Sequence, residues 1–133
     1  MSIQFNKLSL DMGVVTANAE AALAFYCDIL GLELAATIPV PGGVVKRLKC
    51  GDSVIKLLIL DKAPAHAVQA GGYAAATGFR YCTLSVKNLD ELAEKCRVAG
   101  YRIAVKPFQL RPGVQVAMVE DPDGNTIEFM QEG

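Results

Sequence analysis

The chain has 133 residues, of which 52% are hydrophobic, and this is enough for one folded domain with a sizeable core. Its 13 Lys and Arg residues are balanced by 14 Asp and Glu residues without a basic run, which excludes a protein that binds the nucleic-acid backbone. The start lacks the apolar centre of a signal peptide, and no run of about 18 apolar residues exists for a membrane span. We therefore expect a cytoplasmic protein with no membrane partner.

The first half of the chain predicts a strand, a helix and three further strands. Residues 8–16 alternate as a strand, with Leu10 and Met12 on the face predicted to pack against the helix. Asn18 is a typical helix N-cap, and Gly31 is a typical helix end. Strand-like runs follow at residues 32–38, 44–50 and 53–60. The pattern is that of one βαβββ module.

The second half repeats this order at an offset of roughly 70 residues, which indicates an internal duplication. A strand from Tyr81 to Val86 precedes Asn88 and Glu91, which have the spacing of a capping box, and a helix that ends at Gly100. Strands are predicted at residues 102–107, 115–120 and 125–131. The prediction is a single domain over residues 1–133, with module 1 at about 8–60, a connector at 61–79 and module 2 at about 80–131.

The connector is rich in Ala and Gly and contains the only histidine, His66. A lone imidazole on a surface connector favours a linker residue, and histidine-dependent catalytic triads are excluded. The four cysteines are widely spaced without a C-x-x-C pair, so we expect reduced, mostly buried thiols.

A single carboxylate stands in the last apolar strand. The sequence Asp121-Pro122-Asp123-Gly124 predicts a tight turn and therefore a hairpin. In the strand after this turn, alternation places Ile127 and Phe129 on one face and Thr126, Glu128 and Met130 on the other. Glu128 is therefore predicted to point away from the helix-packing side.

Two stretches together carry a family resemblance. They are residues 18–34, which include Phe25-Tyr26 and Leu30-Gly31-Leu32-Glu33, and the late Asp-Pro-Asp-Gly-Asn-x-Ile-Glu strand. The combination resembles the vicinal oxygen chelate superfamily, which contains glyoxalase I, bleomycin-resistance proteins and extradiol dioxygenases. The resemblance covers Leu8 to Gln131. It implies an α+β fold in which two βαβββ modules form a cup-shaped mixed sheet, and it implies a small-molecule ligand and a homodimer.

The resemblance also implies four metal-ligand positions, one on the first and last strand of each module. They correspond to Asp11, Lys56, Tyr81 and Glu128, of which only Glu128 is a usual ligand type. The ammonium of Lys56 has no lone pair and would repel a cation. We therefore expect no tightly bound metal and a Lys56 that takes the place of the cation between Asp11 and Glu128. A divalent metal held by Asp11 and Glu128 is the alternative.

Two functional classes remain open. The first is a metal-free binder similar to bleomycin-resistance proteins, and its predicted ligand contacts are Asp11, Lys56, Tyr81, Thr83, Phe108, Arg111, Glu128 and Met130. The second is an enzyme. Without a metal, Tyr81 could donate a proton, Glu128 or Asp11 could act as base, and Lys56 could stabilise an oxyanion. With a metal on Asp11 and Glu128, the expected activity is that of a glyoxalase, epimerase or dioxygenase.

Arginines are candidate clamps for a carboxylate or phosphate on the ligand. Arg47 falls on the third predicted strand, Arg80 lies beside the predicted cup, and Arg111 falls in the predicted loop before the seventh strand.

Overall fold

The computed structural model describes residues 2–133, which separate into two compact units. The first unit ends at Ala65, and the second runs from His66 to Gly133. Each unit holds one four-stranded mixed sheet and one helical region. The predicted α+β class and the repeated βαβββ order are confirmed.

The first unit has the strand order β1-β4-β3-β2. β1 pairs with β4 in parallel, and the other pairs are antiparallel. The elements are β1 (Met12–Val15), α1 (Ala19–Leu23), a π-helical segment (Ala24–Ile29), β2 (Glu33–Val40), β3 (Gly43–Cys50) and β4 (Ser53–Leu60).

The helical region of the first unit begins and ends where the sequence predicts. The Asn18 side chain accepts a hydrogen bond from the amide of Ala21 at 3.0 Å, and Gly31 follows the helix with a φ of 81°. The rings of Phe25 and Tyr26 are fully buried and meet edge to face, with centroids 4.9 Å apart. This aromatic pair lies in the part of the helix that widens into π geometry.

The first strand is shorter than its alternating pattern predicts. It covers only Met12–Val15, which pair with Ile55–Leu58 of β4, and the next amide of β4, that of Val54, donates to the side chain of Asp11. Leu10 lies outside the strand and is 85% exposed, so the prediction that it packs against the helix is wrong. Asp11 directly precedes β1 and is attached to the sheet through its side chain.

The second unit has the same strand order, β5-β8-β7-β6, again with its first and last strands parallel. A short 3₁₀ turn (Tyr73–Ala75) precedes the sheet. The elements are β5 (Tyr81–Ser85), α2 (Leu89–Val98), β6 (Ile103–Arg111), β7 (Val114–Glu120) and β8 (Thr126–Glu132). Arg111 closes β6 instead of lying in a loop, because the strand continues past Pro107 through irregular pairing with β7.

The predicted hairpin between β7 and β8 is confirmed. The Asp121 carboxylate accepts hydrogen bonds from the backbone amides of Asp123 at 3.0 Å and Asn125 at 2.8 Å, and Gly124 has a φ of 95°. Ile127 and Phe129 are buried on one face of β8, as the alternation predicts. No helix among residues 2–133 is long and apolar enough to cross a bilayer.

Candidate functional site

One face of the first sheet carries the charged side chains of Lys56 and Arg47 among apolar residues, and we call it the Lys56 face. Ile55 and Leu57 are buried on the opposite face of β4. Paired residues in neighbouring strands share a face. The register therefore places on the Lys56 face the residues Gly13, Val15, Ala36, Ile38, Val45, Arg47, Lys56 and Leu58.

The Asp11 carboxylate stands at the edge of this face. Its Oδ1 atom accepts hydrogen bonds from the backbone amide of Val54 at 2.9 Å and from Nζ of Lys7 at 2.8 Å. Its Oδ2 atom lies 3.9 Å from Nζ of Lys56. The hydrogen bond from Lys7, opposed by a smaller desolvation effect, holds the pKa of Asp11 below its ordinary value.

The predicted proximity of Lys56 and Asp11 is present, but Lys7 is the closer cation. The sequence gives no signal for this contact, because Lys7 lies in an irregular segment outside any periodic pattern. At 3.9 Å the Lys56 ammonium is an ion-pair partner of Asp11 without a direct hydrogen bond. Its donors are therefore available to a ligand.

The second unit presents its own polar face, which we call the Glu128 face. The hydroxyl of Thr83 donates a hydrogen bond to Oε1 of Glu128 at 2.6 Å, and these two residues are direct register partners. Glu128 is only 7% exposed. The strand therefore holds a largely desolvated carboxylate whose one oxygen is fixed by a charge-assisted hydrogen bond.

The other predicted contacts of the second unit share this face. Tyr81 pairs with Thr126, and Met130 pairs with Ser85. Each of these pairs lies two residues along the strands from the pair of Thr83 and Glu128, which is roughly 7 Å. Phe108 pairs with Val116 of β7, which pairs in turn with Met130, so Phe108 lies on the same face. Tyr81 and Phe108 are both exposed. Each of these residues keeps its predicted ligand role as a prediction.

Arg111 lies at the far end of the Glu128 face. Its partner Val114 is four residues along β7 from Met118, the partner of Glu128, which corresponds to roughly 13 Å. Arg111 is exposed. A ligand that touches both Glu128 and Arg111 must therefore be extended.

The guanidinium of Arg80, a candidate ligand contact from the sequence, forms hydrogen bonds to the protein backbone. One of its terminal nitrogens donates to the carbonyl of Gln69 at 2.7 Å and to that of Gly72 at 2.6 Å. His66 is exposed in the connector.

A surface pocket of about 390 Å³ lies in the second unit beside the Arg102–Glu120 ion pair, and it contains none of the predicted site residues.

The family model for the Glyoxalase/Bleomycin resistance protein/Dioxygenase superfamily matches residues 9–129. The chain belongs to this superfamily. A Synechocystis protein named "Probable lactoylglutathione lyase" is 31% identical over 119 residues, which cover 84% of this chain and 86% of the relative.

Solved structures share the fold of this chain. A glyoxalase family protein from Bacillus cereus matches with a TM-score of 0.83 at 16% identity, over 98% of this chain and 96% of that chain. The antibiotic binding protein TnmS3 from Streptomyces sp. CB03234 matches with a TM-score of 0.68 at 24% identity, over 100% and 99%. At these identities the likeness concerns the fold alone.

The side chains around Asp11 do not fit a divalent cation, which the superfamily resemblance implies at this position. One carboxylate oxygen already accepts two hydrogen bonds, and ammonium groups stand 2.8 Å and 3.9 Å from the carboxylate. A cation bound here would face both positive charges unless a lysine lost its proton. Within residues 2–133, no three His, Cys, Asp or Glu side chains gather into a metal-binding group.

Proposed function

We propose that this protein binds a small organic molecule without a tightly bound metal, and that Lys56 supplies the positive charge. The observation that carries this proposal is the Lys56 ammonium 3.9 Å from the Asp11 carboxylate, at a position where the resemblance implies a metal ligand. A half-exposed ammonium with available donors attracts a carbonyl or anionic oxygen of a ligand by charge and by hydrogen bonds.

The Glu128 face carries the remaining proposed contacts. It combines apolar surface with a few polar anchors, which is typical of small-molecule sites. The proposed contacts on this face are Tyr81, Thr83, Phe108, Arg111, Glu128 and Met130. A homodimer is part of the same proposal and rests on the superfamily alone.

Metal-independent chemistry would use the same residues. On the Glu128 face, Tyr81 would donate a proton and Glu128 would accept one. On the Lys56 face, Asp11 would be the base and Lys56 would stabilise negative charge on an oxygen of the substrate. The roughly 7 Å between the backbone positions of Tyr81 and Glu128 along the sheet leaves room for a reacting group between their side chains.

Native mass spectrometry of untagged protein purified without chelator tests the proposal. The expected result is a dimer whose mass equals twice the denatured chain mass, before and after incubation with Zn²⁺ or Ni²⁺. A stoichiometric divalent ion in each subunit would overturn the metal-free proposal. The variant Lys56→Glu replaces the ammonium with a carboxylate, and we expect it to bind Zn²⁺ at least tenfold more tightly than the wild type.

Lys49→Glu is the matched control for that variant. Lys49 lies on the same face of β3, where it pairs with Glu33 and Val54, and among the described residues it forms no ion pair with Asp11. A gain in Zn²⁺ affinity as large as that of Lys56→Glu would show that added negative charge alone is responsible, and it would contradict a special role for Lys56.

A lactoylglutathione lyase is the second candidate, because the Synechocystis relative at 31% identity bears this name. Such a lyase would depend on a divalent metal, which the side chains around Asp11 do not fit. Lactoylglutathione lyase activity should then rise on addition of Zn²⁺ or Ni²⁺ and fall on addition of chelator. Our first proposal predicts no metal-dependent turnover.

A further inference from the structure

A row of four residues crosses the first sheet on the Lys56 face, one from each strand. In register order they are Gly13, Lys56, Arg47 and Ala36, and we call them the basic row. Lys56 and Arg47 are direct antiparallel partners, so their Cβ atoms lie about 5 Å apart. The sheet therefore presents an ammonium and a guanidinium side by side.

The positive charge of the basic row is balanced only in part by its neighbours. Asp11 is hydrogen-bonded to Lys7 and lies only at 3.9 Å from Lys56. Lys49, the next basic residue on this face, stands opposite Glu33. In the part of the chain that the structure describes, Arg47 forms neither a side-chain hydrogen bond nor an ion pair. Like charges directly opposite one another destabilise a sheet.

The two ends of the basic row are open. Gly13 has no side chain, and a Cβ added there would meet no atom within 4 Å. Ala36 at the other end contributes only a methyl group. A small acidic group therefore has space to approach both cations from the face of the sheet.

An apolar row lies beside the basic row on the same face. It consists of Val15, Leu58, Val45 and Ile38, again one residue from each strand. It is two residues further along each strand, which is roughly 7 Å away. Val15 and Ile38 are exposed, so this row offers apolar surface for a ligand.

We propose that the basic row and the apolar row form a subsite for a small organic acid. Arg47 and Lys56 bind its carboxylate, and its hydrocarbon body lies along the apolar row. The planar guanidinium fork suits a carboxylate, and the bound negative charge removes the repulsion between the two cations. This inference rests on the proposed function and specifies its ligand class.

Titration of ¹⁵N-labelled protein with hexanoate, followed by NMR at constant ionic strength, tests the subsite. Acetate supplies the carboxylate without the body, and 1-hexanol supplies the body without the charge. We expect the amides of Gly13, Arg47 and Lys56 to shift, and hexanoate to bind about tenfold more tightly than either fragment. Binding of 1-hexanol as tight as that of hexanoate would overturn the inference.

Arg47→Gln and Lys49→Gln form the matched pair of variants. Both remove one positive charge from the same face of β3, but only Arg47 belongs to the basic row. We expect Arg47→Gln to weaken hexanoate binding about tenfold and Lys49→Gln to change it less than twofold. Equal losses would show a general charge effect and overturn the subsite.

The failure of the subsite is distinguishable from failure of the proposed function. Hexanoate shifts confined to the second unit, or no shifts at all, overturn the subsite and leave metal-free binding in place. Metal-free binding is overturned instead by a stoichiometric divalent ion in the native mass spectrum.

Discussion

Single side chains determine the chemistry that this superfamily member can support. At the position of Lys56 a carboxylate would attract a cation, whereas the ammonium attracts electron-rich oxygens. The sequence predicted the contact between Lys56 and Asp11, because strand alternation and the family pattern place both residues. It did not predict Lys7, whose contact depends on the path of an irregular segment.

The stability of the second unit is also expected to depend on a single side-chain contact, the hydrogen bond to the buried carboxylate of Glu128. Glu128 is nearly inaccessible, and Thr83 is its described hydrogen-bond donor, at 2.6 Å. We expect Thr83→Val, which keeps the side-chain shape, to lower the free energy of unfolding by about 1–3 kcal/mol, because it removes a donor to a desolvated carboxylate. Urea denaturation measures this change.

Thr37→Val provides the control for the Thr83 variant. The Thr37 hydroxyl accepts only a long hydrogen bond of 3.4 Å from the side chain of Lys46 near the surface, so its loss should cost less than about 0.5 kcal/mol. Adding Glu128→Gln to Thr83→Val should recover part of the lost stability, since a neutral amide is less costly to bury than a carboxylate. Equal effects of the two threonine variants would contradict the argument.

At the scale of elements, the sequence predicted the eight strands and the two main helical regions found in residues 2–133, but not every contact at their ends. Asn18 caps α1 as predicted. Asn88 does not cap α2 through its side chain, which bonds the side chain of Glu91 instead at 3.3 Å. The amide of Leu89 is satisfied by the side chain of Gln131 at 2.9 Å.

This difference has a physical reason. A capping box is a local motif, whereas Gln131 reaches the start of α2 only after β8 has paired beside β5. A partner 42 residues away along the chain leaves no local pattern. Likewise, β1 pairs with β4 only over Met12–Val15, and alternation within residues 8–16 carries no information about its partner.

Asn18 and Asn88 precede α1 and α2, so the effects of replacing them can be compared directly. Asn18→Ala removes a side-chain cap and should lower the free energy of unfolding by about 1 kcal/mol. Asn88→Ala removes only a side-chain contact near the surface and should cost less than about half as much. Thermal unfolding of both variants measures the order. A larger effect at Asn88 would show that its hydrogen bond to Glu91 matters more than the Asn18 cap.

At the scale of the whole molecule, internal duplication was the strongest prediction of the sequence, since it depends on the order of elements and not on single contacts. Both units have the same strand order, with parallel outer pairs β1–β4 and β5–β8. The connector is less regular. Composition predicted a surface segment over residues 61–79, but not the hydrogen bonds from Arg80 to the carbonyls of Gln69 and Gly72 in this segment.

Arg80 is therefore expected to protect the connector from proteolysis. Its guanidinium holds the carbonyls of Gln69 and Gly72, directly before the exposed Tyr73. Without these bonds, the backbone around Tyr73 should open more often, and cleavage tracks the open population when opening is fast. We expect Arg80→Ala to raise the rate of chymotrypsin cleavage at Tyr73 about tenfold, because two charge-assisted hydrogen bonds are lost.

Arg97→Ala is the control for this cleavage experiment, because the Arg97 guanidinium bonds only Glu94 on the exposed surface of α2. It should leave the cleavage rate at Tyr73 within about twofold of the wild type. Thermal unfolding of each variant separates local opening from global destabilisation: a large loss of thermal stability in Arg80→Ala would assign the faster cleavage to unfolding of the unit. Unchanged cleavage in a stable Arg80→Ala variant would show that packing of residues 66–79, and not Arg80, holds the connector.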